Sequence, residues 1–557
     1  MKISNIFFGK EIPEKRRRIG QAEIEMAINT LKEYKKAKAS LETRFVEDEQ
    51  WWKLRHMENS RNEEGRKESA SAWLFNTLIN KHADAMDNFP EASVLPREED
   101  DYEEATKLSS ILPMIMEHNN FEEIYSDNWW YKLKHGCSAY GVFWNSELEN
   151  GLGDIQIKKI DLLNIFWEPG ISDIQKSRNL FVVDLRDRDI LESEYPFLRG
   201  KNIGNPIDVK QYIYDDSVDV SDKVLVVDWY YKIRNKDGKT LLHYCKFAGE
   251  NILFASENLP EYAERGWYDH GEYPIVPDCL FPEEGSITGF GFVTVTKQPQ
   301  IYIDKLNNAI LENAIMTSKP RYFAKINAGI NEEEFLDWSK PIVHVEGDVD
   351  EERLRLINVN PIPSSFINVL QLKIEELKET SSNSDFNRGT VTNGVTAASA
   401  IAALQEAGSK VSRDMLKTTY RAFTEINYLC IELIRQFYTE RRSFRVKNSD
   451  GGYSFTDYSN DKIATGKTDC SYVRKPVFDI AVKAQKKSPY SRMSQNELAK
   501  ELFKLGFFIP ENAVQALGAL EIMDFEGKNA IEAKIRENAS SMERAGKYEN
   551  EKNVYSL

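Results

Sequence analysis

Two Gly-Lys-Thr triplets, Gly238-Lys239-Thr240 and Gly466-Lys467-Thr468, are the first residues of this chain whose types and spacing could do chemistry. In a P-loop, backbone N–H groups of a glycine-rich turn cradle phosphates, and a second glycine stands five residues ahead of the triplet. Ile233 and Asp461 occupy that position here. Both triplets therefore read as turns carrying a lysine, and no nucleotide-driven motor is expected. Gly289-Phe290-Gly291 begins a dinucleotide fingerprint, but Thr294 stands where the third glycine belongs.

Metal and nucleophile chemistry find little support. His56, His82, His118, His135, His243, His270 and His344 show no HxxxH or HExxH spacing, and Cys137, Cys245, Cys279, Cys430 and Cys470 form no CxxC pair. No zinc site is expected, and the scattered, odd number of thiols suits a reducing compartment. Acidic runs stand at Glu98-Glu99-Asp100-Asp101, Glu332-Glu333-Glu334, and Asp348 with Asp350-Glu351-Glu352. A two-metal nuclease needs carboxylates delivered from separate elements, so such runs read first as solvated faces. A metal-dependent nuclease using Asp348 and Asp350 stays a minor alternative. There is no GxSxG elbow. The expectation is a protein without catalytic residues, cofactor or metal.

The chain as a whole agrees. Its 557 residues exceed one compact core and imply several sub-domains. A net charge of −16 is the wrong sign for gripping nucleic acid through a basic face. It does not exclude a surface along which DNA slides without sticking. The start is polar and ends in Lys15-Arg16-Arg17-Arg18, and no apolar stretch approaches the ~20 residues of a membrane helix. A soluble chain that assembles in the cytosol is expected, with no membrane partner.

Which elements would position a functional surface? Residues 1–65 read as a polar helical arm, with Ile24, Ile28, Leu31 and Ala37 on one face of a helix at 21–45. Helices follow at 70–88, 101–119 and 121–135, the first stopped by Asn88-Phe89-Pro90. Strands fit 138–145, 153–160, 179–185, 223–233 and 240–247, the last two joined through Asp237-Gly238. A helix at 298–318 has Pro299 in its first turn, where the missing N–H costs little. A second helix fits 364–382, and at 1.5 Å per residue each measures roughly 30 Å, a matched antiparallel pair. Between them, 319–363 reads strand (320–326), acidic helix (331–338), strand (341–347), strand (354–359). Residues 383–396, NSDFNRGTVTNGVT, form a loop. A helix of roughly 65 Å then runs over 397–440 with a bend at Gly408. Strands at 443–448, 453–456 and 477–483 precede helices at 492–506, 511–520 and 526–540.

The order helix, β-rich insert, helix, Gly/Thr loop, long helix over 285–440 resembles the centre of tailed-bacteriophage portal proteins, the head-to-tail connectors. The run Gly389-Thr390-Val391-Thr392-Asn393-Gly394 leading into an Ala/Leu/Gln helix is similar to that family's tunnel-loop junction. Upstream, Phe89-Pro90, the run from Lys134 through Gly136 to Trp144, and Asp161 to Pro169 are similar to its wing signatures. The resemblance covers about 70–480. It implies an α+β portal fold, with an α/β wing, a helical stem, a small β-rich clip between the stem helices, a long kinked helix and a C-terminal helical crown. The matching segments are an arm at 1–65, wing at 66–297, stem helices at 298–318 and 364–382, clip at 319–363, tunnel loop at 383–396, wing again at 397–485, and crown with tail at 486–557.

That resemblance also implies a role. Such subunits form a dodecameric ring at one capsid vertex, through which double-stranded DNA is packaged and ejected. Partners would be other copies of the chain, the large terminase, a head–tail adaptor, and the major capsid or scaffold protein. The place would be the virion, after assembly in the host bacterial cytoplasm. Asn387, Arg388, Gly389, Thr390, Thr392, Asn393 and Gly394 would face the DNA channel; Arg321, Lys325, Glu332, Glu333, Glu334 and Asp337 would present the clip to its partners. Arg388 would either contact DNA weakly or pair with Asp385 or a neighbouring subunit. Lys297, Lys305, Lys373 and Lys378 would line the stem, more as flank or intersubunit groups than as DNA contacts. The alternative role is another structural virion protein, an adaptor or tail component.

Overall fold

A computed structural model describes residues 18–58, 68–201, 203–209, 222–234, 238–318, 321–324, 329–337, 339, 341–346, 354–357, 360–382, 410–447, 453–463, 476–486, 499–509, 512–522, 531–532 and 534–536. The chain is mixed α and β, as expected. It divides into two units: residues 1–86 with 90–483, and residues 87–89 with 484–557.

In the larger unit, a five-stranded meander holds β4 (Ile165–Trp167), β5 (Asn179–Asp187), β6 (Lys223–Arg234), β7 (Thr240–Ala248) and β8 (Asn251–Ala255), in that order. Every neighbouring pair is antiparallel, with Trp229 opposite both Phe181 and Cys245. One face of β6 carries Leu225, Val227, Trp229, Tyr231 and Ile233 at period two, all buried. Against them packs α1 (Gln21–Trp52) through Ile24, Ala27, Ile28, Leu31 and Tyr34. The first helix is thus part of the core and not a peripheral arm. Its polar look in sequence reflects a single apolar stripe, which is all one sheet face requires.

A three-stranded sheet has the order β3 (Asp154–Ile160), β2 (Cys137–Asn145), β9 (Ile275–Cys279). Two helices, α3 (Tyr102–His118) and α4 (Phe121–His135), precede β2. Gly136 ends α4 at φ 89°, and a Cβ there would lie 2.2 Å from the Phe290 backbone. Only glycine meets both conditions. The Lys134–Trp144 run is therefore a helix, a left-handed turn and a strand, in the order read from it.

α2 (Trp73–Asp87) ends where expected, but Asn88–Pro96 continues as strand β1, which pairs with Phe478–Lys486. Pro90 stops the helix and is tolerated in an edge strand. Beyond β9, strands β10 (Phe281–Glu283) and β11 (Ser286–Phe290) form a hairpin. It leads into α6 (Phe292–Ser318), which follows the short α5 (Arg188–Glu194) in chain order. α6 begins six residues before the expected 298, with Pro299 inside it. The ~3 kcal/mol such a proline costs is offset by burial of Phe292, Val293, Pro299 and Ile303. With α8 (Ser364–Thr380) the expected equal lengths fail: α6 has 27 residues and α8 has 17.

The long helix is described from Lys410 to Phe437 as α9; 397–409, including the expected bend at Gly408, lies outside the described residues. Strands β14 (Arg442–Lys447) and β15 (Tyr453–Tyr458) pair antiparallel after it. In the smaller unit, the helix Ala513–Ile522 buries Ala513, Ala516 and Leu520 with Ile535.

Candidate functional site

α6 and α8 pack on one another, yet bury little within one chain. On α8 only Leu377 is buried. Tyr302, Leu311 and Ile315 of α6 and Phe366, Ile367, Val369 and Leu372 of α8 are exposed. Leu372 keeps 62% of its surface in solvent and Leu311 54%. At ~25 cal/mol per Å² such side chains gain from burial that a single helix pair does not offer.

The root of α6 is fixed differently. Asp304, wholly buried, accepts from the Ser71 N–H (2.7 Å), the Ser71 hydroxyl (2.5 Å) and the Gln300 amide (3.0 Å), and faces His56 Nε2 at 3.0 Å. Gln300 in turn accepts the Leu74 N–H at 3.0 Å. Gln300 and Asp304 lie four apart, on one face of α6, and reach the segment entering α2. Their polarity within an apolar stripe is the signal that the sequence carries for this contact.

Between α6 and α8 sits the insert. β12 (Arg321–Ala324) pairs antiparallel with β13 (Leu354–Ile357), Arg321 opposite Ile357. The short helix α7 (Glu332–Leu336) is capped by Asn331, whose side chain accepts the Glu334 N–H. The expected strand at 341–347 is instead one bridge, Ile330 to Val345. Glu334 accepts from the His344 N–H (2.9 Å) and meets His344 Nδ1 at 2.8 Å. Asp337 accepts from the Ser339 hydroxyl (2.6 Å) and N–H (3.0 Å), which hold its carboxyl below the usual range. Glu332 and Glu333 are exposed in the first turn of α7, and Arg321 is exposed at the edge of the hairpin. Of the six insert residues singled out, only Lys325 lies outside the described residues. Phe323, Leu336 and Ile342 of the insert are also exposed. The charges of the insert are legible in its sequence, whereas the exposure of these three apolar side chains is not.

The loop residues Asn387, Arg388, Gly389, Thr390, Thr392, Asn393 and Gly394 all lie outside the described residues. Their flanks are placed. Ser382 closes α8 at φ 49°. Lys81 of α2 donates to the Ser382 carbonyl (3.1 Å) and the Ser412 hydroxyl (3.4 Å), while Ser412 donates to Asp84 (3.1 Å). One ammonium thus holds both ends of 383–411, and burial lowers its pKa. Deeper in, Lys132 of α4 is bound by Asp278 (2.6 Å), Thr418 (2.8 Å) and Thr419 (2.6 Å), fixing α9 to β9. Burial depresses the Lys132 pKa against the pull of Asp278.

Among the lysines expected to line a stem, Lys297 pairs with Glu47 and lies over Trp51, Lys373 pairs with Glu376 at 2.5 Å and lies over Tyr302, and Lys378 lies over Trp73. Lys305 is exposed.

Within one chain, α6 and α8 thus leave apolar side chains uncovered beyond a root of α6 that is pinned by polar contacts. No helix among the described residues is long and apolar enough to cross a membrane. No curated protein matches the chain. The family described as phage P22-like portal protein matches residues 37–553, leaving out only 1–36 and 554–557. With nearly its whole length matched, from within α1 to the C-terminal tail, the chain belongs to the phage P22-like portal protein family.

Proposed function

We propose that copies of this chain close into a dodecameric ring at one capsid vertex, the conduit by which double-stranded DNA is packaged and later ejected. α6 and α8 form the stem around the channel. The insert at 319–363 is the clip that docks the large terminase during packaging and a head–tail adaptor afterwards. The protein contributes no catalysis of its own; the motor is another chain, consistent with two Gly-Lys-Thr triplets that lack their glycine.

The supporting observation is the helix pair that leaves Leu311, Ile315, Phe366, Ile367, Val369 and Leu372 uncovered. A neighbouring copy presents the same pair, and head-to-tail repetition that closes makes a ring. The net charge of −16 repels phosphate and lets DNA pass, while polar loop groups make weak, sequence-blind contacts.

The test is Leu311→Asp combined with Leu372→Asp. Both positions are exposed in the single chain, so its thermal midpoint should change little, within ~0.5 kcal/mol per site. Electron microscopy of the parent should show rings with a hole near the width of DNA, and the double variant should give none. Rings persisting in the variant would remove the stem from the subunit interface.

A further inference from the structure

We propose that His118, Glu149 and Asp154 bind one divalent transition-metal ion of the zinc class per chain. Searches by short sequence spacing could not find this group. His118 is the last residue of α3, Glu149 opens the turn after β2, and Asp154 begins β3. The fold brings one donor atom of each within 4.8 Å of the other two.

The donor set selects the ion. One imidazole nitrogen with two carboxylates suits zinc and its neighbours, whereas calcium and magnesium favour oxygen alone. The anchor is Asp154, which is 6% exposed. Its Oδ1 accepts the Tyr438 hydroxyl (2.5 Å) and the Ile155 N–H (2.8 Å), which fixes the carboxylate in place. Its Oδ2 has no hydrogen-bond partner among the described residues. The His118 and Glu149 side chains likewise have none there, so three ligand-type groups converge with their capacity unspent. Ligand bonds of about 2.0–2.2 Å require the donors to close in by roughly an ångström. The exposed His118 and Glu149 can rotate to do so; Asp154 need not move. Water from the open side would complete the coordination.

Such an ion would join the end of α3 to the start of β3. Through Asp154 it would also reach Tyr438, the residue after α9, while Arg442 at the start of β14 donates to the Gly153 and Leu152 carbonyls. It would pin three elements of the larger unit at one point.

The full-length chain is titrated with Zn²⁺, and with Co²⁺ as a spectroscopic probe. One ion per chain should bind, Co²⁺ should show ligand-field absorption altered by imidazole, and the thermal midpoint should rise with Zn²⁺ and fall back with a chelator. Mg²⁺ should give no rise. His118→Gln and Glu149→Gln, both exposed, should leave the metal-free midpoint unchanged and weaken binding by about 10- to 100-fold or more. Absence of a bound ion in the parent overturns the proposal. So does undiminished binding in both variants, which would place the ion elsewhere.

Discussion

Lys38 places an ammonium inside the core, where α1 crosses the start of β4. It donates to the carbonyls of Leu162 and Ile165 and lies 4.4 Å from the Phe166 ring centroid. Burial lowers its pKa from 10.5 to about 7. Between those values the unfolded chain keeps the proton that the folded chain releases. The unfolded state binds more protons there, so stability rises with pH across that window. Below it the full cost of the buried charge is present. We predict that the thermal midpoint of the parent gains on Lys38→Met as pH rises from about 7 towards 10.5. At the alkaline end the variant should be less stable, because two carbonyls lose their donor at ~1–3 kcal/mol each. Parallel curves for the two proteins would assign the titration to other groups.

At the scale of elements, α1 carries the clearest expectation. Leu31 is fully buried against the five-stranded sheet. Leu31→Ala should cost about 2–5 kcal/mol, seen as a fall in thermal midpoint of the whole larger unit, and a chain lacking 1–52 should not fold. A peripheral arm would tolerate both changes. The sequence suggested the helix here but not its burial, since amphipathicity reports a stripe and not what covers it. Strands with period-two patterning or a turn signal, such as 223–233 and 240–247, were legible within a residue or two. β1 was not, because Asn88-Phe89-Pro90 also ends a helix and a nine-residue edge strand needs little pattern of its own. The start of α6 was misplaced because Pro299 obeys a local rule that tertiary burial overrides. Among site residues, charges were visible and pairings were not. Lys132 with Asp278, 146 residues apart, has no local signature.

For the whole molecule, membership of the portal family makes this a structural protein of a bacteriophage virion. Deleting 386–394 from such a protein should leave folding and rings intact, because α8 packs on α6 and α9 packs on β9, and neither contact uses the deleted residues. It should impair packaging or retention of DNA, measured as the mass of genome per particle. If the deletion abolished folding, the loop assignment would fall. The anchoring of Ser382 and Ser412 on Lys81 bears on this and reaches further. A span whose two ends are moored to one side chain is a cassette. Doubling its length adds only about 0.6 kcal/mol of closure entropy, and the socket on α2 does not register what is plugged into it. The same frame could thus carry spans of different length and composition, with a lysine and an aspartate on α2 the terms of compatibility.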